Sequence, residues 1–464
     1  MKIKLMLAVV LVVVLATAFV SQAQHYRAKD PGVRGGAPGA GGMLPGLTAG
    51  QQAFFVAGQE EFADADGIGE GLGPRFNLDS CQGCHVQPAG GGTSPAVNPQ
   101  LAIATAGGAR NRIPSFIALN GPVREARFLF NPDGTRDGGV HALFVISGRR
   151  DASGNASACT AVQEDFETQV LGGNIAFRIP TPTFGGGLIE MIPDATIRAN
   201  LAANSSQKVS LGIRPKFNFI NVSGTSNNNG NDGTITRFGW KAQNKSLLLF
   251  AGEAYNVEMG ISNELFQSER DENPTCQFAT VPNDFTDTDN PVAAAAMSAI
   301  EKFAFFMRFS APPAPVNQYS SKSAGFVIPS SIANGRRVFA TVGCAFCHTP
   351  TLRTGNATVS ALANRDVNLF SDLGLHAMGP VLADNVQQGR AAGDEFRSAP
   401  LWGLGQRIFF LHDGRTADLA EAIHAHASPG NQNFGPSEAN RVIYNYFNLQ
   451  ESDRQDLLNF LRSL

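Results

Sequence analysis

Along most of the chain the spacing of apolar positions follows either a helical period or none at all. Leu5 to Val20 is an unbroken apolar run behind Lys2 and Lys4, and Ser21-Gln22-Ala23 offers small residues for cleavage. That is the pattern of an export signal, so residues 1–23 are expected to be a signal peptide; the run is short for a membrane-spanning helix. Thr48-Ala49-Gly50-Gln51 has the form of a capping box, and Phe54, Phe55 and Phe62 follow on one predicted helix. Leu247 to Tyr255 also reads as helix. Pro291 to Phe309 reads as a better one, with Ile300, Phe303, Phe306 and Met307 at helical spacing and Pro312 and Pro313 ending it. A short helix carrying Gly335 and Phe339 is expected next. Ser452-Asp453-Arg454-Gln455 then reads as a second capping box, ahead of Leu457, Leu458, Phe460, Leu461 and Leu464.

Between about 135 and 245 the period changes. Lys216 to Ile220 and Thr234 to Phe238 alternate, and Asn227 to Gly233 is dense in Asn, Asp and Gly, which predicts a hairpin with a long tip. A small β insertion is expected there. Pro31 to Gly39 is rich in Gly and Pro, so residues 24–46 read as a flexible linker, and the Pro- and Ser-rich residues 313–325 as a second.

Composition narrows the class. A chain of 464 residues is too long for one ordinary core. A net charge of −3 with only 16% charged residues gives no footprint for nucleic acid. The 50 glycines and 26 prolines imply much loop, while 43% apolar content still allows sizeable cores.

The candidate chemistry is in two hexapeptides, Ser80-Cys81-Gln82-Gly83-Cys84-His85 and Gly343-Cys344-Ala345-Phe346-Cys347-His348. Each holds a complete C-x-x-C-H, the attachment signature of c-type haem: two thiols meet the two vinyl groups of one porphyrin, and the adjacent His binds the iron. A zinc site would need both pairs on one metal, yet they stand 344 − 81 = 263 positions apart. Two covalent haem c groups are expected, bound by Cys81, Cys84 and His85 and by Cys344, Cys347 and His348. Covalent attachment and the leader both indicate a periplasmic or secreted protein. The expected fold is mainly α, with two cytochrome c-like haem domains and long loops. Residues 47–312 form the N-terminal domain with its insertion, and residues 326–464 the C-terminal one. The two remaining cysteines, Cys159 and Cys276, suggest a disulfide in an oxidising compartment, with two free thiols as the alternative.

The second axial ligand decides whether a haem carries electrons or does chemistry. Met378 lies 30 positions past His348, with His376 as its rival, and spacing leaves the choice open. For the first haem the distal candidates are His141, Glu258 and Met259. His412 suits either a haem propionate or a turn cap. His424 and His426 are two apart on a predicted helix and do not share a face. Trp240 and Trp402 suit either electron relay or core packing.

From Gly335 onward the sequence resembles the catalytic half of bacterial di-haem cytochrome c peroxidases and methylamine-dehydrogenase maturation enzymes. The matching stretches are Gly343 to His348, Glu395-Phe396-Arg397-Ser398-Ala399-Pro400-Leu401 and Phe410-Leu411-His412-Asp413-Gly414-Arg415. Over nearly the whole mature chain it is more similar to the di-haem oxidoreductase family, through Leu72 to Asn77, Phe238-Gly239-Trp240-Lys241-Ala242 and His376-Ala377-Met378-Gly379-Pro380. The resemblance implies Met378 as the axial ligand of the second haem, and extends to this chain the option of a calcium ion between the haems. Ser398-Ala399-Pro400 departs from the usual Arg-Thr-Pro of the peroxidases. Their distal acid cannot be carried over residue by residue, because the segment after Cys84 does not align. The expected function is an exported di-haem c-type oxidoreductase, a peroxidase. Electrons would pass from a small redox protein through the C-terminal haem to the N-terminal one. The alternatives are a non-catalytic di-haem electron-transfer cytochrome and an oxidase of organic or protein substrates.

Overall fold

The computed structural model of the protein describes residues 27–147, 159–219, 234–268, 276, 283–284 and 297–464. The leader, the hairpin tip at 227–233 and residues 291–296 of the expected helix lie outside them.

The labelled elements, in chain order, are these. Helix α1 spans Ala49–Ala63 and opens on the expected capping box of Thr48 and Gln51. Strand β1 is Arg75–Phe76, β2 Glu125–Phe128, β3 Val140–His141, β4 Phe144–Val145 and β5 Ile175–Arg178. Helix α2 spans Leu247–Met259, with Ser246 as its cap and Gly260 turning left-handed behind it. Helix α3, Ala299–Phe309, starts at a capping box on Ser298 and Glu301. Helix α4 is Pro329–Val342, and strands β6, Leu375–Ala377, and β7, Glu395–Arg397, pair antiparallel. Helices α5, Asn440–Phe447, and α6, Glu451–Leu461, close the chain.

Two helix crossings of the same design organise the fold. In the first, α1 lies on α3: Gly58 sits against the carbonyl of Lys302, and Phe62 packs on Phe306 with ring centroids 4.6 Å apart. In the second, α4 lies on α6: Gly335 sits against the carbonyl of Asp456, and Phe339 packs on Phe460 at 5.5 Å. Each crossing uses a glycine to bring the backbones together, with a phenylalanine four residues on filling the space beside it. The same motif thus sits on a repeated frame, one C-x-x-C-H behind each crossing.

The expectation of a mainly α fold does not hold. Among the described residues 33% are helical and 12% are in strands, in several small sheets. The cause is the glycine and proline content, which leaves many helices a single turn long and gives much of the packing to loops. Nor do the described residues of the alternating segments, 216–219 and 234–238, form strands. Their described parts touch through Thr236, whose N and Oγ1 both donate to Asn218 O, at 3.1 and 2.9 Å. The sheet of this region is instead β3-β2-β5, antiparallel throughout. Helix α6 lacks the expected capping box; it starts at Glu451 with no side-chain cap.

The two expected linkers are seated where they are described. Arg462 donates to Asp30 at 2.7 Å, Ala28 N donates to Glu451 at 2.8 Å, and Gly35 N donates to Ser320 O at 2.7 Å. Arg34 is buried. Tyr319–Ser321 and Gly325–Val327 form a hairpin. The cores interpenetrate: Leu352, Leu369 and Trp402 join the first core, and Ile213 joins the second. Cys159 and Cys276 are joined in a disulfide.

Two candidate haem cavities

Cys81 and Cys84 bracket a one-turn helix and, with His85, line a cavity walled by β2, β5 and α2. His85 places Nδ1 3.1 Å from Gly92 O, to which it can donate, and the backbone of Thr181 also lies against the ring. Burial pushes its imidazole down to about 4.

The rest of this cavity is unusually rich in charge. Glu125 and Arg127 come from β2, Arg178 from β5, and Glu253 and Glu258 from α2. Burial works against an ionised Glu125, but Arg127 and Arg178 outweigh it and hold its carboxyl below the usual range. Burial, and then the neighbouring Glu125, push Glu258 well above the carboxylate range. Both carboxyls line the same cavity. Asn77 fixes Glu258 from the other side, its Nδ2 donating to Oε2 at 2.7 Å, and its Oδ1 accepts from Leu143 N at 2.8 Å. Gln243 leaves a buried Oε1 without a protein partner.

Of the distal candidates read from sequence, Glu258 and Met259 line the cavity and His141 does not. His141 is held between Glu164 at 2.7 Å and Asp137 at 2.8 Å and stacks on Phe128. Among the described residues lining this cavity, His85 is the only histidine.

The second cavity is lined by Cys344, Cys347, His348 and Phe339, and also by Met378, His412 and His426. His348 donates Nδ1–H to Phe370 O at 3.1 Å. Burial first, and His426 second, push it down to about 4, so the two imidazoles lie close together in one cavity. His426 repeats the arrangement, donating Nδ1–H to Ala422 O at 2.8 Å with Nε2 left free. His376 differs: Glu438 takes Nδ1 at 2.9 Å and Asp372 takes Nε2 at 3.1 Å, so neither nitrogen is free for a metal. Met378 packs with Ile179, Trp240, Leu382 and Phe396. Sequence reasoning missed His426 because it weighed His424 and His426 only as a pair.

Arg397 and Arg407 are buried beside this cavity, and each depresses no carboxylate: among the described residues neither has an acidic partner. Burial pushes both down to about 10. Two adjacent buried cations without counter-ions fit the two propionates of a haem, and the free cysteines and Nε2 atoms fit its vinyl groups and iron.

Trp240 lines both cavities, its Nε1 donating to Ile179 O at 2.9 Å. Next to it, Lys241 is fully buried and bonds Asp384 at 2.9 Å and the carbonyls of Ala392 and Glu395 at 2.8 and 3.0 Å. Arg178 meets the same Asp384 at 2.7 Å. Among the described residues no cluster of three or more His, Cys, Asp or Glu could hold a metal ion such as calcium. No described helix is long and apolar enough to cross a membrane.

Two cavities, each with its own cysteine pair and histidine and joined through one tryptophan, define a two-centre redox protein. The chain belongs to the di-haem oxidoreductase family. The family described as "Di-haem oxidoreductase, putative peroxidase" matches residues 125–464, which takes in the second C-x-x-C-H and begins at Glu125, beyond the first. No curated protein and no solved structure matches the chain.

Proposed function

We propose that the protein is an exported peroxidase with two covalent haem c groups, reducing hydrogen peroxide at the first cavity. The reading rests on one observation above all: the first cavity joins His85 to a buried Glu258, whose carboxyl burial and then Glu125 push well above the usual range, and holds no second histidine among its described residues. That supplies an acid beside an iron position open to substrate, the requirement for cleaving an O–O bond.

When bound, each haem supplies a one-electron centre, and the first also a site for peroxide. Cys81 and Cys84 would anchor one porphyrin and His85 would bind its iron; Cys344, Cys347 and His348 would do the same for the other. Besides His348, His426 would hold the second iron in preference to Met378. Its free Nε2 and its closeness to His348 favour it, whereas Met378 packs among aromatic rings. Arg397 and Arg407 would neutralise the second haem's propionates. Trp240 stands between the cavities, which supports transfer from the second haem to the first. A small redox protein outside the cell's cytoplasm would supply the electrons.

EPR and optical spectra of the oxidised, haem-loaded protein test this reading. The expected result is one high-spin and one low-spin iron, with peroxide consumed and a reduced small cytochrome oxidised. Two low-spin irons inert to peroxide would leave an electron-transfer cytochrome instead.

A further inference from the structure

We infer that Tyr255 is a redox-active tyrosine beside the first cavity, giving up one electron to it while the phenolic proton passes to Asp66. The arrangement is read from the structure; its use in turnover rests on the peroxidase reading above.

Tyr255 lies on α2 beside Ala251, Ala254 and Glu258, which line the first cavity. It is 4% exposed and sits among the residues of the first core. Its ring meets the edge of Phe303 with centroids 5.1 Å apart. Phe303 lines the cavity and stands 6.3 Å from Phe62, itself 6.1 Å from the ring of His85. Neighbouring rings thus run from the imidazole that would bind the iron to the phenol. The Tyr255 hydroxyl donates to Asp66 Oδ2 at 3.1 Å. Asp66 is fixed in turn, its N donating to Asp79 O at 2.9 Å, and it is only half-buried, between exposed Ala65 and Gly67.

A buried phenol that lost an electron alone would be left as a cation in apolar surroundings, so the proton has to leave with it. Asp66 is where that proton can go. Tyr319, by contrast, donates to the backbone carbonyl of Asn459 at 3.2 Å, which takes no proton. The charges around the pair agree. Burial first, and Asp66 second, push the Tyr255 hydroxyl far up, so it does not ionise unaided; Asp284 and Cys81 also face it. Burial pushes Asp66 up to about 7, against the hydrogen bond from Tyr255 and with the help of Glu70, Glu61 and Asp64. That makes Asp66 a stronger base than an ordinary carboxylate.

In the step, the O–H bond of Tyr255 breaks, its proton joins Asp66, and its electron enters the cavity, where peroxide is the oxidant. The sum there is H2O2 + 2 H+ + 2 e− → 2 H2O, with one electron from Tyr255, one from the small redox protein and both protons from solvent. A further electron from the small redox protein, with the proton held by Asp66, then restores the phenol. A two-electron oxidant can therefore be consumed when only one donor electron is at hand.

EPR of the haem-loaded protein, frozen soon after mixing with hydrogen peroxide, tests the inference. The expected result is a tyrosyl radical whose splitting collapses when ring-deuterated tyrosine is incorporated, and which is missing in Tyr255→Phe. Asp66→Asn keeps a hydrogen-bond acceptor but no base, so it should slow radical formation by roughly 10²-fold or more, and Asp66→Glu should restore it. In wild type the radical yield should fall as pH drops through about 7, where Asp66 takes up a proton, and Asp66→Asn should abolish that dependence. A merely structural tie would lower stability in these variants and leave the radical in place, which would overturn the assignment. Peroxide consumed by wild type without a tyrosyl signal would overturn it too, with the peroxidase reading left standing. Wild-type protein inert to peroxide would overturn that reading and the inference with it.

Discussion

Gly335 meets the backbone carbonyl of Asp456 where α4 crosses α6, and a side-chain carbon there would overlap it. The first unit repeats the relationship between Gly58 and Lys302. Because the obstacle is backbone, it cannot rotate aside. Gly335→Ala should therefore destabilise the haem-loaded protein by about 1–3 kcal/mol, the usual cost of overpacking. Denaturant titration followed by circular dichroism checks this, and an unchanged midpoint would show that the crossing yields.

The ligand assignment makes a paired prediction. His426→Ala should convert the second haem from low-spin to high-spin, while Met378→Leu should leave its spectrum intact. His426→Met should raise its reduction potential, since a thioether favours the reduced iron. EPR with a potentiometric titration decides it; a low-spin signal lost in Met378→Leu would reverse the assignment.

Arg407 is one of two buried cations beside the second cavity. Arg407→Gln removes a positive charge that favours the reduced, less positive iron, so the second haem's midpoint potential should fall. The same potentiometric titration reads the shift. A potential that stays put would mean Arg407 does not face the haem.

His141 gives a pH dependence of stability. Burial alone would lower its pKa, but Glu164 and Asp137 outweigh burial and raise it above 6.5. A raised histidine stabilises the fold fully below its unfolded value, about 6.5, and that contribution is lost as pH rises through the folded value. Wild-type protein should lose stability from about pH 6.5 upward, and His141→Gln should lose less over the same window. Urea midpoints measured across it test the sign.

Much of the site was readable because its chemistry is written locally. The C-x-x-C-H pairs carry their own spacing, and Glu258 stood at the end of a segment whose helical period was plain. The helix at Ala49–Ala63 announced itself through its capping box, and the one at Ala299–Phe309 through Ile300, Phe303, Phe306 and Met307 at helical spacing. What escaped depends on contacts across long separations. Glu125 shares a cavity with Glu258 only once β2 and α2 wall it together. Arg397 and Arg407 look like ordinary surface cations until burial removes their counter-ions. The alternation at 216–220 has strand period, yet its neighbours are buried polar groups such as Asn218 and Lys241, whose bonds to loops replace a ladder. Gly- and Pro-rich residues 31–39 suggested freedom, but Arg34 N and Gly35 N find fixed carbonyls on Gly405 and Ser320.

That last segment sets an order of assembly. Residues 28–35 are held by Glu451, Arg462, Gly405 and Ser320, and residues 42–44 by Phe309 and Ala311. A chain made from its N-terminus cannot secure its own beginning until α6 is complete. A product cut short before Glu451 therefore leaves residues 28–30 without their partners on α6 and more open to proteases.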